Sequence, residues 1–237
     1  MLTFFMADLN AKLQNFRAPT FPGSYFFVLE GIEGSGKTTQ INFLKSSFEK
    51  LDYRVLIVRE PGGTIFGEKL RQAILQSNTD IHPLSEAFLF ASSRAQLLHE
   101  VVLPELEKPR TIVLMDRYLF STIAYQGVAR GLGPELVISL HQYFPLNIIP
   151  HLTFYLKISV ETSFLRQKHR NLPKDYFESR GKDFYLKLSS GYDACLNMFS
   201  SFIYINAEMD NLGVSTQMLG AIHKRFPDLS SLQVTQV

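Results

Sequence analysis

The octet Gly31–Ile32–Glu33–Gly34–Ser35–Gly36–Lys37–Thr38 carries the strongest chemical signal in the chain. It follows the apolar run Tyr25–Phe26–Phe27–Val28–Leu29 and opens the helix-like stretch Thr39–Gln40–Ile41–Asn42–Phe43–Leu44–Lys45. A strand, then G-x-x-x-x-G-K-[ST], then a helix is the arrangement that cradles phosphates. Glycines let successive N–H groups turn inward, and the helix N-terminus deepens the anion-binding concavity. Lys37 is expected to set its charge against β/γ-phosphates, and the Thr38 hydroxyl to ligate Mg²⁺. The implied ligand is a nucleoside triphosphate. A chance glycine-rich turn is the competing explanation, and both flanks weigh against it.

The elements that must position this loop come next. A chain of 237 residues, 46% of them apolar, is long enough for a sizeable core and is not a disordered composition. Its net charge of +2 gives no overall drive toward nucleic acid or a membrane surface. The single cysteine, Cys195, excludes an internal disulfide and is expected to be a small buried apolar group. No stretch approaches the ~18 continuous apolar residues of a spanning helix, and a reducing, cytoplasmic setting is expected. Apolar β-type runs recur at Tyr53–Val58, Thr111–Met115, Leu152–Leu156 and Phe202–Ile205, separated by longer periodic segments such as Pro83 to Leu106 and Leu212 to Phe226. Such alternation predicts an α/β fold, a parallel sheet covered by helices on both faces. One domain is expected over 25–226, with a lid at about 160–183, an N-terminal arm over 1–24 outside the core and a tail over 227–237. Leu2–Thr3–Phe4–Phe5–Met6 is too short for a secretory core, Asp8 argues against a transit peptide, and Met6 is an alternative start.

Ligands of parallel sheets gather at the carboxyl ends of the strands. After the second run comes Arg59–Glu60–Pro61–Gly62–Gly63–Thr64, with Arg71 seven residues further on in an expected helix. The third run leads into Asp116–Arg117–Tyr118. A carboxylate there can hold hydrated Mg²⁺, and a guanidinium can fork onto phosphate. Alone, such a pair is weak evidence and is more often a surface ion pair worth ~0–1 kcal/mol. Phe90 and Arg94, four apart, share a helix face. They suit stacking on a base and bonding its edge, or else Phe90 belongs to the core and Arg94 to solvent. Ser121–Thr122–Ile123–Ala124–Tyr125–Gln126–Gly127 can be a helix with a glycine stop.

Taken together, Glu30 to Thr39, the Arg59–Thr64 turn, Phe90 with Arg94, Asp116–Arg117–Tyr118 and Ser121–Gly127 resemble thymidylate kinases of the bacterial kind, from about Tyr25 to about Phe226. The resemblance implies five parallel strands, Mg²⁺, transfer of the ATP γ-phosphoryl group to dTMP for dTTP synthesis, and a homodimer. It implies an ATP-binding set of Gly31, Ile32, Glu33, Gly34, Ser35, Gly36, Lys37, Thr38 and Thr39, with Thr38 and Asp116 toward the metal. The implied dTMP set is Glu33, Arg71, Phe90, Arg94, Arg117, Thr122, Tyr125 and Gln126. Within it Phe90 stacks on thymine, Arg94 bonds O4, Thr122 meets the N3 edge, Tyr125 disfavours a 2′-hydroxyl, and Arg71 and Arg117 hold the acceptor phosphate. Lys37, Arg117, Asp116, Glu33 and Arg170 form the implied catalytic set.

This chain also departs from the family pattern. Some members place an arginine in the phosphate loop where Gly34 stands here, and members lacking it supply basic lid residues; Arg166, Lys168, Arg170 and Lys174 are the candidates. An Asp-Arg-x-Glu pattern becomes Asp175–Tyr176–Phe177–Glu178, and a Pro-Asp-Leu-Thr strand ending in aspartate becomes Pro150–His151–Leu152–Thr153, ending in Lys157. Three readings follow: a dTMP kinase, a deoxynucleoside kinase acting on a free hydroxyl, and a nucleotide-binding regulatory protein with a weakened lid.

Overall fold

The computed structural model describes residues 9, 11–170 and 176–233, with Arg170 described through its backbone alone. The Leu2–Met6 run, Asp8, Lys174 and Asp175 lie outside the described residues. Strands β1 (Tyr25–Glu30), β2 (Arg54–Arg59), β3 (Thr111–Asp116), β4 (Leu152–Lys157) and β5 (Phe202–Asn206) form one parallel sheet. Its order is β2-β3-β1-β4-β5, so β1 is central. Phe26 to Leu29 are fully buried, as a strand covered on both faces requires. Each strand runs one residue beyond its expected apolar run, to Glu30, Arg59, Asp116, Lys157 or Asn206. Those polar residues still pair in the ladder, as Leu29 with Asp116 and Lys157 with Asn206 do. They form one polar edge along the carboxyl ends of the sheet.

Helix α1 (Lys37–Glu49) leaves that edge directly after the glycine-rich loop. Helix α2 (Ile65–Leu75) starts at Thr64, whose hydroxyl accepts the Gly67 N–H at 2.9 Å. Helix α3 (Pro83–Leu97) passes through a wide turn at Leu98–Val102 into α4 (Leu103–Leu106), which accounts for the single long period in the sequence. Helix α5 (Leu119–Thr122) likewise opens into a π-type turn over Ile123–Ala129. Gly127 lies inside that turn, so the expected glycine stop is corrected. A π insertion re-aims the side chains it carries, here Tyr125 and Gln126. Helices α6 (Pro134–Leu140), α7 (Val160–Arg170), α8 (Lys182–Cys195) and α9 (Asn211–Arg225) complete the layers.

Both expected appendages reach the core where they are described. Phe16 is buried edge-on against Phe199, and Arg17 bridges to Ile148. Leu229 and Leu232 are buried, and the Tyr25 hydroxyl donates to Asp228. Phe16, Leu229 and Leu232 join the buried apolar cluster of the sheet. Cys195 is buried as expected. No described helix is long and apolar enough to cross a membrane.

Two departures from the family pattern have local explanations. His151 replaces the aspartate and accepts the Phe26 N–H through Nδ1 at 2.9 Å, closing an edge of β1. Lys157 reaches both carboxylate oxygens of Asp193 at 2.7 Å, an exposed pair worth ~0–1 kcal/mol that gives the lysine a partner on α8.

Candidate active site

The loop between β1 and α1 is held by close backbone packing. Gly31 has φ of 143°, and a Cβ there would lie 2.5 Å from the Leu156 carbonyl oxygen, so glycine is required. Lys37 Nζ donates to the carbonyls of Gly31 (3.0 Å) and Ile32 (3.3 Å) and is poised over the loop. Burial pushes its pKa down, Arg117 adds to this, and Asp116 and Glu33 oppose it. Asp116 ends β3 with a buried Oδ1 that has no hydrogen-bond partner among the described residues, an acceptor facing the same cleft as Thr38.

Arg117 adopts φ of 70°, a left-handed conformation that costs a non-glycine residue about 1–3 kcal/mol and clusters at functional sites. Its surroundings over-determine it. Nη1 lies 3.0 Å from the Gly31 carbonyl, 3.0 Å from the Tyr192 hydroxyl and 3.3 Å from Ser121 Oγ, while Nη2 donates to Glu33. The Tyr125 hydroxyl also donates to Glu33, at 3.0 Å. Burial pushes the Glu33 carboxyl up, but Arg117 and Lys37 outweigh it and hold the group below the usual carboxylate range. Beneath this cluster Glu30 accepts from Tyr118 N (2.8 Å), Ser121 N (3.1 Å), Ser121 Oγ (2.6 Å) and Tyr192 (3.1 Å). Burial raises its pKa; its role is to brace the strand end that carries Arg117.

The second half of the cleft is aromatic and basic. Arg94 is 1% exposed, which excludes the solvated alternative, and its guanidinium forks onto Glu60. Thr122 accepts from it at 3.0 Å. Burial pushes Glu60 up to about 7 despite Arg94. Phe90 is only half-buried and lines the cleft 6.2 Å from Phe177, so it is not simply a core residue. Arg71 donates to the Pro61 carbonyl at 3.0 Å, and Gln126 donates to Glu86 at 3.0 Å.

The lid helix meets the phosphate loop through Arg166 and Ser163. Arg166 donates to the Gly34 carbonyl at 3.0 Å and to Ala207 at 3.3 Å, and Ser163 Oγ donates to the Glu33 carbonyl at 2.6 Å. Gly34 has φ of 78°, and a Cβ there would lie 3.1 Å from Arg166 Cβ. Lys168 is exposed, and the Arg170 side chain lies outside the described atoms. Tyr176 does not point at the loop. Its hydroxyl accepts from Ile81 N (3.1 Å) and Arg180 (2.7 Å) and lies 3.0 Å from both Asp80 and Glu86, with Arg130 on the same two acids. An arginine at 176 would crowd Arg130 and Arg180. Tyr176→Arg is therefore expected to leave kcat at or below that of the unmodified protein; an increase in steady-state kcat would contradict this placement.

The loop, the Arg117–Glu33 pair, the Phe90–Arg94 pair and Arg166 line one cleft of about 820 Å³. Of the residues singled out in the sequence, Glu33, Gly34, Gly36, Lys37, Thr38, Thr39, Arg71, Phe90, Arg94, Asp116, Arg117, Thr122, Tyr125 and Gln126 face it. Gly31, Ile32 and Ser35 belong to the loop but do not line the cleft. Sequence reasoning missed Glu60, Phe177 and Glu178, and Met209, Asp210 and Asn211 after β5. Glu60 was visible as a strand-end carboxylate, whereas Met209 to Asn211 carry no distinctive residue type.

A five-stranded parallel sheet with a phosphate loop and an aromatic, basic half of the same cleft along one edge defines a P-loop kinase of the nucleoside monophosphate type. Residues 29–217 match the family model described as thymidylate kinase. The chain is 40% identical over 200 residues to a thymidylate kinase of Thermoanaerobacter pseudethanolicus, covering 84% of this chain and 97% of that one. It is 41% identical over 189 residues to that of Thermosipho africanus (79% and 92% covered) and 42% identical over 182 residues to that of Acholeplasma laidlawii (76% and 89% covered). The chain belongs to the thymidylate kinase family.

Proposed function

We propose that this cleft transfers the γ-phosphoryl group of ATP to dTMP, giving dTDP and ADP for dTTP synthesis. The observation that carries the reading is the junction of two sites in one cleft, with Arg117 and Glu33 between the phosphate loop and the Phe90–Arg94 pocket. Nothing in the fold or the family match favours a deoxynucleoside kinase or a regulatory protein. An acceptor phosphate oxygen attacks the γ-phosphorus as the bond to the β–γ bridging oxygen breaks. That oxygen is already ionised, so no general base is required, and positioning with charge neutralisation carries the reaction. Lys37 and the loop N–H groups hold the donor phosphates, and Met209 to Asn211 border the nucleoside end. Arg117 and Arg71 hold the acceptor phosphate, with Glu33 fixing the Arg117 fork. Tyr125 packs under the sugar while its hydroxyl is tied to Glu33.

Thr38 and the unpartnered Asp116 carboxylate fit Mg²⁺. No cluster of three or more metal-ligating His, Cys, Asp or Glu side chains gathers among the described residues, so most ligands of that ion would be phosphate oxygens and water. Bound there, Mg²⁺ supplies charge neutralisation at the transferring group. We place the enzyme in the cytoplasm, as a homodimer, by family; exposed Phe66 and Phe88 on the packed pair α2 and α3 offer an apolar surface for the second copy.

Base recognition is tested by Phe90→Ala and Arg94→Ala. Each is expected to raise the dTMP KM by about tenfold or more while the ATP KM stays within about twofold. Folded variants with an unchanged dTMP KM would contradict the assignment. Sugar selection is tested by Tyr125→Ala, which should narrow the kcat/KM gap between dTMP and its ribose analogue; an unchanged gap would remove Tyr125 from that role.

A further inference from the structure

His141 caps the end of α6, is fully buried, and reaches the base pocket through Arg94. Its Nδ1 lies 2.7 Å from the Val137 carbonyl oxygen, which can only accept, so the proton is on Nδ1. Nε2 is then a bare acceptor, 2.7 Å from Arg94 Nη1. Burial and the neighbouring Arg94 charge push the imidazole pKa down to about 3, so the ring stays neutral and keeps that lone pair.

A guanidinium has five N–H donors. In Arg94 the Nε–H goes to Glu60, the two on Nη2 go to Glu60 and Thr122, and one on Nη1 goes to His141. Among the described residues the remaining hydrogen therefore belongs to Nη1, the nitrogen that His141 holds. Tyr118 covers the guanidinium at 4.8 Å and limits its movement out of plane.

We propose that His141 is a positioning residue that aims the last N–H of Arg94 at the acceptor base. It thereby sets the preference for a 4-oxo over a 4-amino pyrimidine. This rests on the reading of the Phe90–Arg94 pocket as the base site. A 4-oxo group accepts that hydrogen, whereas a 4-amino group presents a donor to a donor. Without the imidazole, the guanidinium gains freedom to rotate, and a buried N–H loses its partner.

The test compares His141→Leu with His141→Gln, whose amide oxygen reaches the Nε2 position, using dTMP, dCMP and ATP kinetics. His141→Leu is expected to raise the dTMP KM about tenfold, to lower the dTMP-to-dCMP ratio of kcat/KM by a similar factor, and to keep the ATP KM within about twofold. His141→Gln is expected to return the dTMP KM to within about threefold of the unmodified protein. A folded His141→Leu with unchanged dTMP KM, or a His141→Gln as impaired as His141→Leu, overturns the proposal. If His141→Leu does not fold, His141→Asn, too short to reach Arg94, takes its place; equal dTMP KM values for Asn and Gln overturn it. Failure of all three to fold also overturns it and assigns His141 to the core alone. Arg94→Ala in the same assay separates the two claims. An unchanged dTMP KM there removes the base site itself, whereas a raised one beside normal His141 variants removes only the role of His141.

Discussion

Lys37→Ala is expected to lose at least ~3 kcal/mol of transition-state stabilisation, about 10²-fold in kcat/KM, as deletion of a single positioned electrostatic group does in other enzymes. In the free protein Lys37 is spent on two loop carbonyls and brings its charge into the cleft beside Asp116, Glu33 and Arg117. The negative charge of ATP is expected to draw it from those carbonyls and to reverse the downward push on its pKa. The substitution should leave the core intact, because Lys37 starts α1 at the cleft and is no member of the buried apolar cluster. Far-UV circular dichroism and the melting temperature should therefore change little while turnover collapses. Activity within tenfold of the unmodified protein would mean that this loop is not the donor-phosphate site.

Neutralising Arg166 should produce the second large effect. Gly34 leaves the phosphate loop without an arginine of its own, and its lack of a Cβ is what lets α7 approach so closely. Arg166 fills that place from the lid, with Nη1 on the Gly34 carbonyl and the side chain lining the cleft. A group of this kind acts on charge that develops during transfer, so it should appear in kcat rather than in acceptor affinity. Arg166→Ala is expected to reduce kcat by ~10²-fold with the dTMP KM spared, and the exposed Lys168 to tolerate Ala without loss. Arg170→Ala is the companion variant, because that residue ends the same helix. A large loss of kcat there with none at Arg166 would move the catalytic charge four residues along the lid.

The contrast between these two residues shows what the sequence can convey. Lys37 is legible because its chemistry is local: the glycines, the lysine and the threonine are adjacent, and the apolar runs around them fix a strand and a helix. The five strands are legible for the same reason, and only their polar last residues escaped an apolar criterion. Arg166 was one of four basic lid residues, with Arg170 rather than Arg166 in the implied catalytic set, because the contact of Arg166 with Gly34 spans 132 positions of chain. Tyr176 looked like a weakened lid, yet its hydroxyl bonds Asp80, Glu86 and Arg180. Phe16 and Leu229 lie in segments that looked peripheral because nothing in a short apolar run reveals that it will join the buried cluster.

One measurement bears most directly on the central claim. ADP release from ATP and Mg²⁺ is followed through a coupled assay with dTMP, with thymidine and with no acceptor. The proposed assignment predicts rapid ADP release with dTMP alone, since Arg71 and Arg117 would hold an acceptor that already carries a phosphate, and an ionised phosphate oxygen needs no general base. Turnover with thymidine at or above the rate with dTMP, or ADP release with dTMP no faster than without an acceptor, would contradict the account.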